Sequence, residues 1–388
     1  IEDSNLSGNY PYDVHINSGT NNTFLNVSYN SSSEQVEAGA ELIRKGYVSK
    51  IIANVTYFGD SSAISGANVT LKNYSSDNLK SNLTDSNGLT TLQFASPILE
   101  TFYKNNGGTI THYLSLQTTK PNYLTESTSF DWANLLSGDG SLNGQTQDVK
   151  LHYATYTVAI TQTIPEVYTT INDSQVFRNV SSADVPCHYI ANVSLNVTGT
   201  LIIENCTLEM EKGPGTEYRT LSIASTGNLF MNYSNLTSEN PAAYENYHFY
   251  SLRGSSMTLK NSYINYVGTG DELNKRSLTI NSSSLVFDNI TMSVNMRALE
   301  LLAPDLTIAN SSISGSTSGT FGDNIRVAAS GIRIVNCNIS DPAGVTKADI
   351  VIDANKNVTV VNSNYSSVGF QSGAKLIRSL SLIHISEP

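Results

Sequence analysis

LIIENCTLE, Leu201–Glu209, is the first of seven stretches that share one pattern. The others are LFMNYSNLT from Leu229, MTLKNSYIN from Met257, LVFDNITMS from Leu285, LTIANSSIS from Leu306, IRIVNCNIS from Ile332 and VTVVNSNYS from Val358. Each reads apolar-x-apolar, then usually Asn and a small residue, then another apolar position three further on. The starts lie 28, 28, 28, 21, 26 and 26 residues apart. Seven or eight residues before most of them stands a second short alternation: LSI at Leu221, LTI at Leu278, LEL at Leu299, IRV at Ile325 and IVI at Ile350. Short period-2 segments joined by Asn, Ser and Gly turns cannot bury a face alone, but stacked as successive coils they can.

The expectation is therefore an all-β chain with a right-handed parallel β-helix of about seven coils over residues 156–367. An antiparallel sandwich would not repeat in fixed register. Asn at the corner suits the left-handed backbone of a tight turn, and its amide can bond the same Asn one coil away. Asn205, Asn261, Asn289, Asn310, Asn336 and Asn362 form that expected structural row, with Tyr233 as the departure. Cys206 and Cys337 share the next position, otherwise mostly Ser. Five coils apart, or about 24 Å, they are beyond disulfide reach and read as small, tucked-in residues. A Cys187–Cys206 pair is open. Lys260 and Asp288 fall on neighbouring coils at an outward position.

Upstream, residues 48–155 alternate between Gly, Asp, Asn and Ser turns, as in KIIANVTYFGDSSAISGANVTLKN and LTDSNGLTTLQF, and suggest a small β-sandwich. ISGANVTL followed by TDSNG resembles the carboxypeptidase-regulatory-like and related Ig-like modules of surface proteins. Asp85, Asn87 and Gly88 lack the later ligands of a calcium loop and read as a turn.

GAELIR, Gly39–Arg44, returns as GAKLIR, Gly373–Arg378, and the match widens backwards: Tyr12–Ser32 lies over Ala348–Ser367 with one gap. Residues 1–47 thus read as the last coil of an upstream β-helix with its linker, and 368–378 as the start of the next linker. The tail 379–388 breaks the pattern and resembles a translated sequencing-library adapter, as in metagenome fragments. This layout resembles the large, tandemly repeated surface proteins, frequent in archaea, that alternate such modules with pectin-lyase-like β-helices. The resemblance implies a non-enzymatic, glycosylated, extracellular cell-surface protein, a rod-like spacer or adhesin shaft. It gains about 34 Å of solenoid per seven coils, and its partners are neighbouring modules, other surface proteins or glycans.

Composition agrees. Charged residues make up only 14% of 388, the net charge is −11, and the basic footprint of a nucleic-acid binder is absent. No apolar run reaches the ~18 residues of a membrane span. About twenty Asn-x-Ser/Thr sequons point to secretion, with Asn54, Asn68, Asn73, Asn82, Asn235, Asn338 and Asn364 as acceptors. Asn205, Asn289 and Asn310, in a buried corner row, are expected to stay unmodified. Three cysteines are too few for a disulfide framework.

The alternative class is a carbohydrate-binding or polysaccharide-degrading β-helix, a lyase or glycosidase. Its clustered carboxylates are not evident: Glu211, Glu217, Glu239, Glu245, Asp271, Glu272, Asp323 and Asp341 are scattered. The six histidines, His15, His112, His152, His188, His248 and His384, make no metal-ligand spacing. No cofactor, metal or catalytic residue is expected. Tyr244, Tyr247, Tyr250, Tyr263 and Tyr266 are the candidate glycan-binding residues, lining one side of the coils.

Overall fold

The computed structural model describes Leu6 and residues 12–25, 27, 34–130, 146–211, 218–239, 247–268, 277–293, 298–314, 323–340 and 348–379. Among the described residues the chain is all-β with one short helix, and it divides into two compact units, Ile1–His152 and Tyr153–Pro388.

The second unit is built from parallel sheets. One has nine strands, from Thr155–Val158 through Ser194–Val197 and Thr220–Ile223 to Ile350–Ile352 and Val368–Phe370. The other has fifteen, and between visits to one sheet the chain visits the other, advancing one strand each time. The register is the one the repeat predicts. Leu201 pairs with Leu229, Leu229 with Met257, Met257 with Leu285, and Ile332 with Val358. In the nine-stranded sheet the column runs Leu195, Leu221, Phe249, Leu278, Leu299, Ile325 and Ile350. These side chains are fully buried. Each Leu, Ile or Phe so removed from water contributes about 1.5–3 kcal/mol.

The corner residue bends the larger sheet. All seven take left-handed φ between 47° and 54°, Tyr233 included at 48°. Asn289 donates its amide to Asn261 Oδ1 at 2.9 Å, and Asn336 to Asn310 Oδ1 at 3.1 Å. Elsewhere the row slips by one residue. Asn261 bonds Asn232 Oδ1, beside Tyr233, and Asn310 bonds Asp288 Oδ1. The row is not buried, contrary to expectation: five of its six asparagines, Asn289 and Asn310 among them, are exposed and Asn261 is half-exposed.

One position further in, a second column runs along the stack. Ser234 Oγ accepts from Cys206 N, Ser262 Oγ from Ser234 N, Ser311 Oγ from Ile290 N, and Ser363 Oγ from Cys337 N, at 3.0–3.2 Å. Each hydroxyl donates back to a nearby carbonyl, as Ser234 does to Asn232 O at 2.8 Å. A left-handed corner turns one N–H inward where strand pairing cannot reach it, and the hydroxyl supplies the partner. Cys337 is a buried free thiol in this column, its Sγ 3.3 Å from Val335 O, and burial raises its pKa. Cys206 is not a lone tucked-in residue: it forms a disulfide with Cys187. His188 pairs in register with Thr207, so Cys187 occupies the same column one coil earlier.

The helix Ile164–Ile171 was not foreseen. Its signal is local: Thr163 and Glu166 form a capping box, Pro165 sits in the first turn, and Asn172 closes the helix at φ 46°. Ile164, Val167 and Ile171 are buried, and the helix's Tyr168 clusters with Phe177 and Tyr189.

In the first unit, Leu42–Tyr57 runs unbroken across residue 47, where the sequence suggested a boundary. Its start pairs in parallel with Asn22–Leu25, its length antiparallel with Leu89–Asn106, and its end in parallel with Thr146–Leu151. A four-stranded antiparallel sheet holds Asn68–Lys72, Asn78–Leu83, Ser115–Thr119 and Glu126–Ser129. Asp85 is a turn residue: its Oδ1 accepts from Asn87 N and Leu89 N at 2.8 and 2.9 Å. Gly88 is required there, because φ is +75° and a Cβ would lie 2.4 Å from Val55 O.

The residues expected to begin a linker, 368–378, instead add two more parallel strands. Val368–Phe370 pairs with Ile350–Ile352, and Lys375–Ser379 with Asn357–Val361.

Candidate functional site

The tyrosines expected to share one side do not. Tyr247 is fully buried and donates its hydroxyl to Leu236 O at 3.3 Å; burial pushes its pKa well up. Tyr250 lies half-exposed on the nine-stranded sheet, in register with Ser222 and Thr279. Tyr266 is half-exposed near the end of the Ser256–Asn265 strand, at φ 61°. Tyr244 lies outside the described residues. Of the four described, only Tyr263 stands out from the surface, 56% exposed.

Its companion is Tyr233, 65% exposed, the residue that broke the Asn row. Asn235 and Tyr263 are register partners, so the two tyrosines lie on neighbouring repeats of the larger sheet. With Asp184, Val185, Pro186 and the Cys187–Cys206 bridge they line an open groove of about 400 Å³. The disulfide closes a 19-residue separation, which stabilises a chain by roughly 3 kcal/mol, and it tethers the 184–186 wall to the coil. Two phenol faces beside a carboxylate and the amides of Asn205 and Asn261 suit a saccharide ring, apolar on its faces and hydroxylated at its rim.

A bulky residue at φ 48° is strained by about 1–2 kcal/mol, and such strain gathers where function holds it. The signal for Tyr233 was present in the sequence as an exception to the repeat.

Of the acids read as scattered, Glu211 and Glu239 come together. Arg178 lies 3.2 Å from one and 2.5 Å from the other, and His188 lies 2.9 Å from Glu209 nearby. An arginine between two carboxylates ties both as ion pairs, which is unlike a protonated acid facing a free base. Arg326 is likewise held by Glu300, buried, and Asp353, and its pKa is raised chiefly by the Asp353 hydrogen bond. Asp323 accepts from Ala348 N at 3.2 Å. Glu217, Glu245, Asp271, Glu272 and Asp341 lie outside the described residues. Among the described residues no group of three or more His, Cys, Asp or Glu is placed to hold a metal, and no helix is long and apolar enough to cross a membrane.

The sequon asparagines differ in setting. Asn68, Asn82, Asn338 and Asn364 are exposed, and Asn235 is half-buried. Asn54 donates its amide to Asp148 Oδ1 at 2.9 Å, and Asn73 Oδ1 accepts from Ser75 N and Asp77 N in a turn. Comparison with protein-family models, curated proteins and solved structures gave no match.

Proposed function

We propose that this chain is a structural module of an extracellular, glycosylated, repetitive surface protein, and that its second unit is a right-handed parallel β-helix serving as a stiff spacer. The observation that carries the reading is a repeat at the level of register. Val14, His15 and Ile16 pair with Glu34, Gln35 and Val36; Ile350, Val351 and Ile352 pair with Val368, Gly369 and Phe370. Asn22, Thr23 and Phe24 pair with Leu42, Ile43 and Arg44; Val358, Thr359 and Val360 pair with Leu376, Ile377 and Arg378. The two similar sequences thus build the same four-strand arrangement near the two ends of the chain. That is what a tandem unit of residues 45–378 requires. The disulfide fits an oxidising compartment, and the sequons fit secretion. The tethered acids favour a scaffold over a polysaccharide lyase or hydrolase.

The test is an array of one, two, three and four 45–378 units, measured by small-angle scattering. The maximum dimension grows in equal steps if the module is a spacer. A dimension that stays compact as units are added sinks the proposal.

The Tyr233–Tyr263 groove favours a second reading, a lectin-like contact on that spacer. Glycan-array binding that is lost in Tyr233→Ser/Tyr263→Ser, with the fold retained, supports it. Equal binding by the variant removes it.

A further inference from the structure

The two copies of the repeat share their strand pairing and differ in what lies on their outer edge. In the first copy Leu42 is 0% and Arg44 2% exposed; in the second the equivalent Leu376 is half-exposed and Arg378 exposed. Ile377, equivalent to half-exposed Ile43, is 53% exposed, and Phe370, equivalent to Val36, is 56% exposed. The strings GAELIR and GAKLIR are nearly identical, and Gly39 and Gly373 share positive φ, +82° and +73°. Intrinsic preference therefore does not explain the difference.

The cover does. Along the first copy, Leu89–Asn106 runs antiparallel, with Leu42 opposite Asn105, Ile43 opposite Lys104 and Arg44 opposite Tyr103. Tyr103 Oη and Asn105 Nδ2 each donate to Glu34 Oε1 at 2.9 Å, and Lys104 forms an ion pair with Glu41. Gly107 then sits on the Glu37–Ala38 turn, where a Cβ would come within 2.5 Å of Glu37 O. Along the second copy, Val368–Phe370 and Lys375–Ser379 each stand last in their sheet, with a hydrogen-bonded neighbour on one side among the described residues. An open edge with exposed apolar side chains is a template for another strand.

We propose that this edge docks an antiparallel strand of the module that follows in the array, equivalent to the Leu99–Asn106 part of the cover strand. This rests on the tandem reading and adds how one module hands over to the next. The substitutions at the edge specify the strand's chemistry. Lys375 replaces Glu41, so the docking strand is acidic where this chain has Lys104. Val368 replaces Glu34, so it is apolar where Tyr103 and Asn105 reach that acid. An unaltered copy of this chain's own strand sets Lys104 against Lys375, like charge on like, and fits less well.

The experiment appends residues 45–152 directly after Arg378 of the chain and follows hydrogen exchange of the 371–378 segment. Exchange is expected to slow by about tenfold or more relative to the unextended chain. It should slow further, by several-fold, when the appended copy carries Lys104→Glu. Exchange within the appended copy itself reports whether it has folded. A folded appended copy with unchanged exchange at 371–378 overturns the proposal. So does an appended copy that fails to fold, because the handover is held to suffice for it, and so does slower exchange with Lys104 than with Glu. Concentration-dependent slowing in the unextended chain means edge-to-edge pairing of copies and also overturns it. Failure of the spacer reading is distinct: the array stays compact while 371–378 is still protected.

Discussion

Tyr233 and Glu41 show how single side chains are set by position. Tyr233 occupies a corner whose backbone suits Asn, and its Oη gains nothing there from the amide row. Tyr233→Asn relieves the strained φ, and its amide has Asn205 and Asn261 as column neighbours. The variant is expected to be more stable by about 1 kcal/mol, read as a raised thermal midpoint, while losing any saccharide binding. An unchanged or lower midpoint would show that the ring is held by packing that outweighs the strain. Glu41 is a buried carboxylate whose pKa is held below its ordinary value, first by the Lys104 hydrogen bond and then by Asn21 N, which donates at 2.8 Å. A depressed carboxylate pKa stabilises the fold above its unfolded value, and that stabilisation is lost as pH falls through the folded value. The first unit should therefore weaken as pH falls through the acidic range in which Glu41 takes up its proton. Glu41→Gln should be less stable at neutral pH and show a shallower loss on acidification in urea titrations at stepped pH. Parallel slopes for the two proteins would remove Glu41 from the account.

At the scale of elements, the inner column explains why Cys or Ser fills this position in every repeat but the one that carries Ile290. At Cys206, Ser234, Ile290 and Cys337 a backbone N–H points to the interior of the corner and donates to the Ser hydroxyl one repeat on. Ser311→Ala leaves Ile290 N without that partner and should cost about 1–3 kcal/mol in chemical denaturation. Cys337→Ser keeps an acceptor of similar size and should cost less than Cys337→Ala. Equal losses for the two Cys337 variants would mean that volume, not hydrogen bonding, sets the position. The strand periods, the corner asparagines and the register were all legible in the sequence, because each repeats a local requirement. The Ser/Cys column was visible as a pattern but its extension to Cys187 was not: HYIA departs from the motif, and only the register His188 with Thr207 reveals it. The short helix carried its own signal, a capping box with proline, overshadowed by the surrounding strand periodicity.

At the largest scale, the proposed β-helix of the second unit makes a stack whose repeats touch chiefly their neighbours, and such a stack behaves as a one-dimensional array. Removing one full repeat, Met257–Ser284, joins Ser256 to Leu285 at equivalent register positions. That deletion should yield a folded chain with one coil fewer and a modestly lower thermal midpoint, seen by circular dichroism and hydrogen exchange. Deleting half as many residues mispairs the strands that flank the cut and should lower the thermal midpoint far more than the full-repeat deletion does. If both deletions fold alike, the coil is not the unit of stability. The sequence by itself determined the repeat, its register, the inward columns and the duplicated GAELIR and GAKLIR segments, because these follow from periodic burial and from turn chemistry carried by each residue. The tertiary structure decided the rest. It placed Tyr247 inside and Tyr233 beside Tyr263, drew Glu211 and Glu239 onto Arg178, joined Cys187 to Cys206, and buried Arg44 while exposing Arg378. The physical reason is that exposure, pairing and charge neutralisation depend on which neighbour lies across a sheet. The same string meets a covering strand in one copy and an open edge in the other.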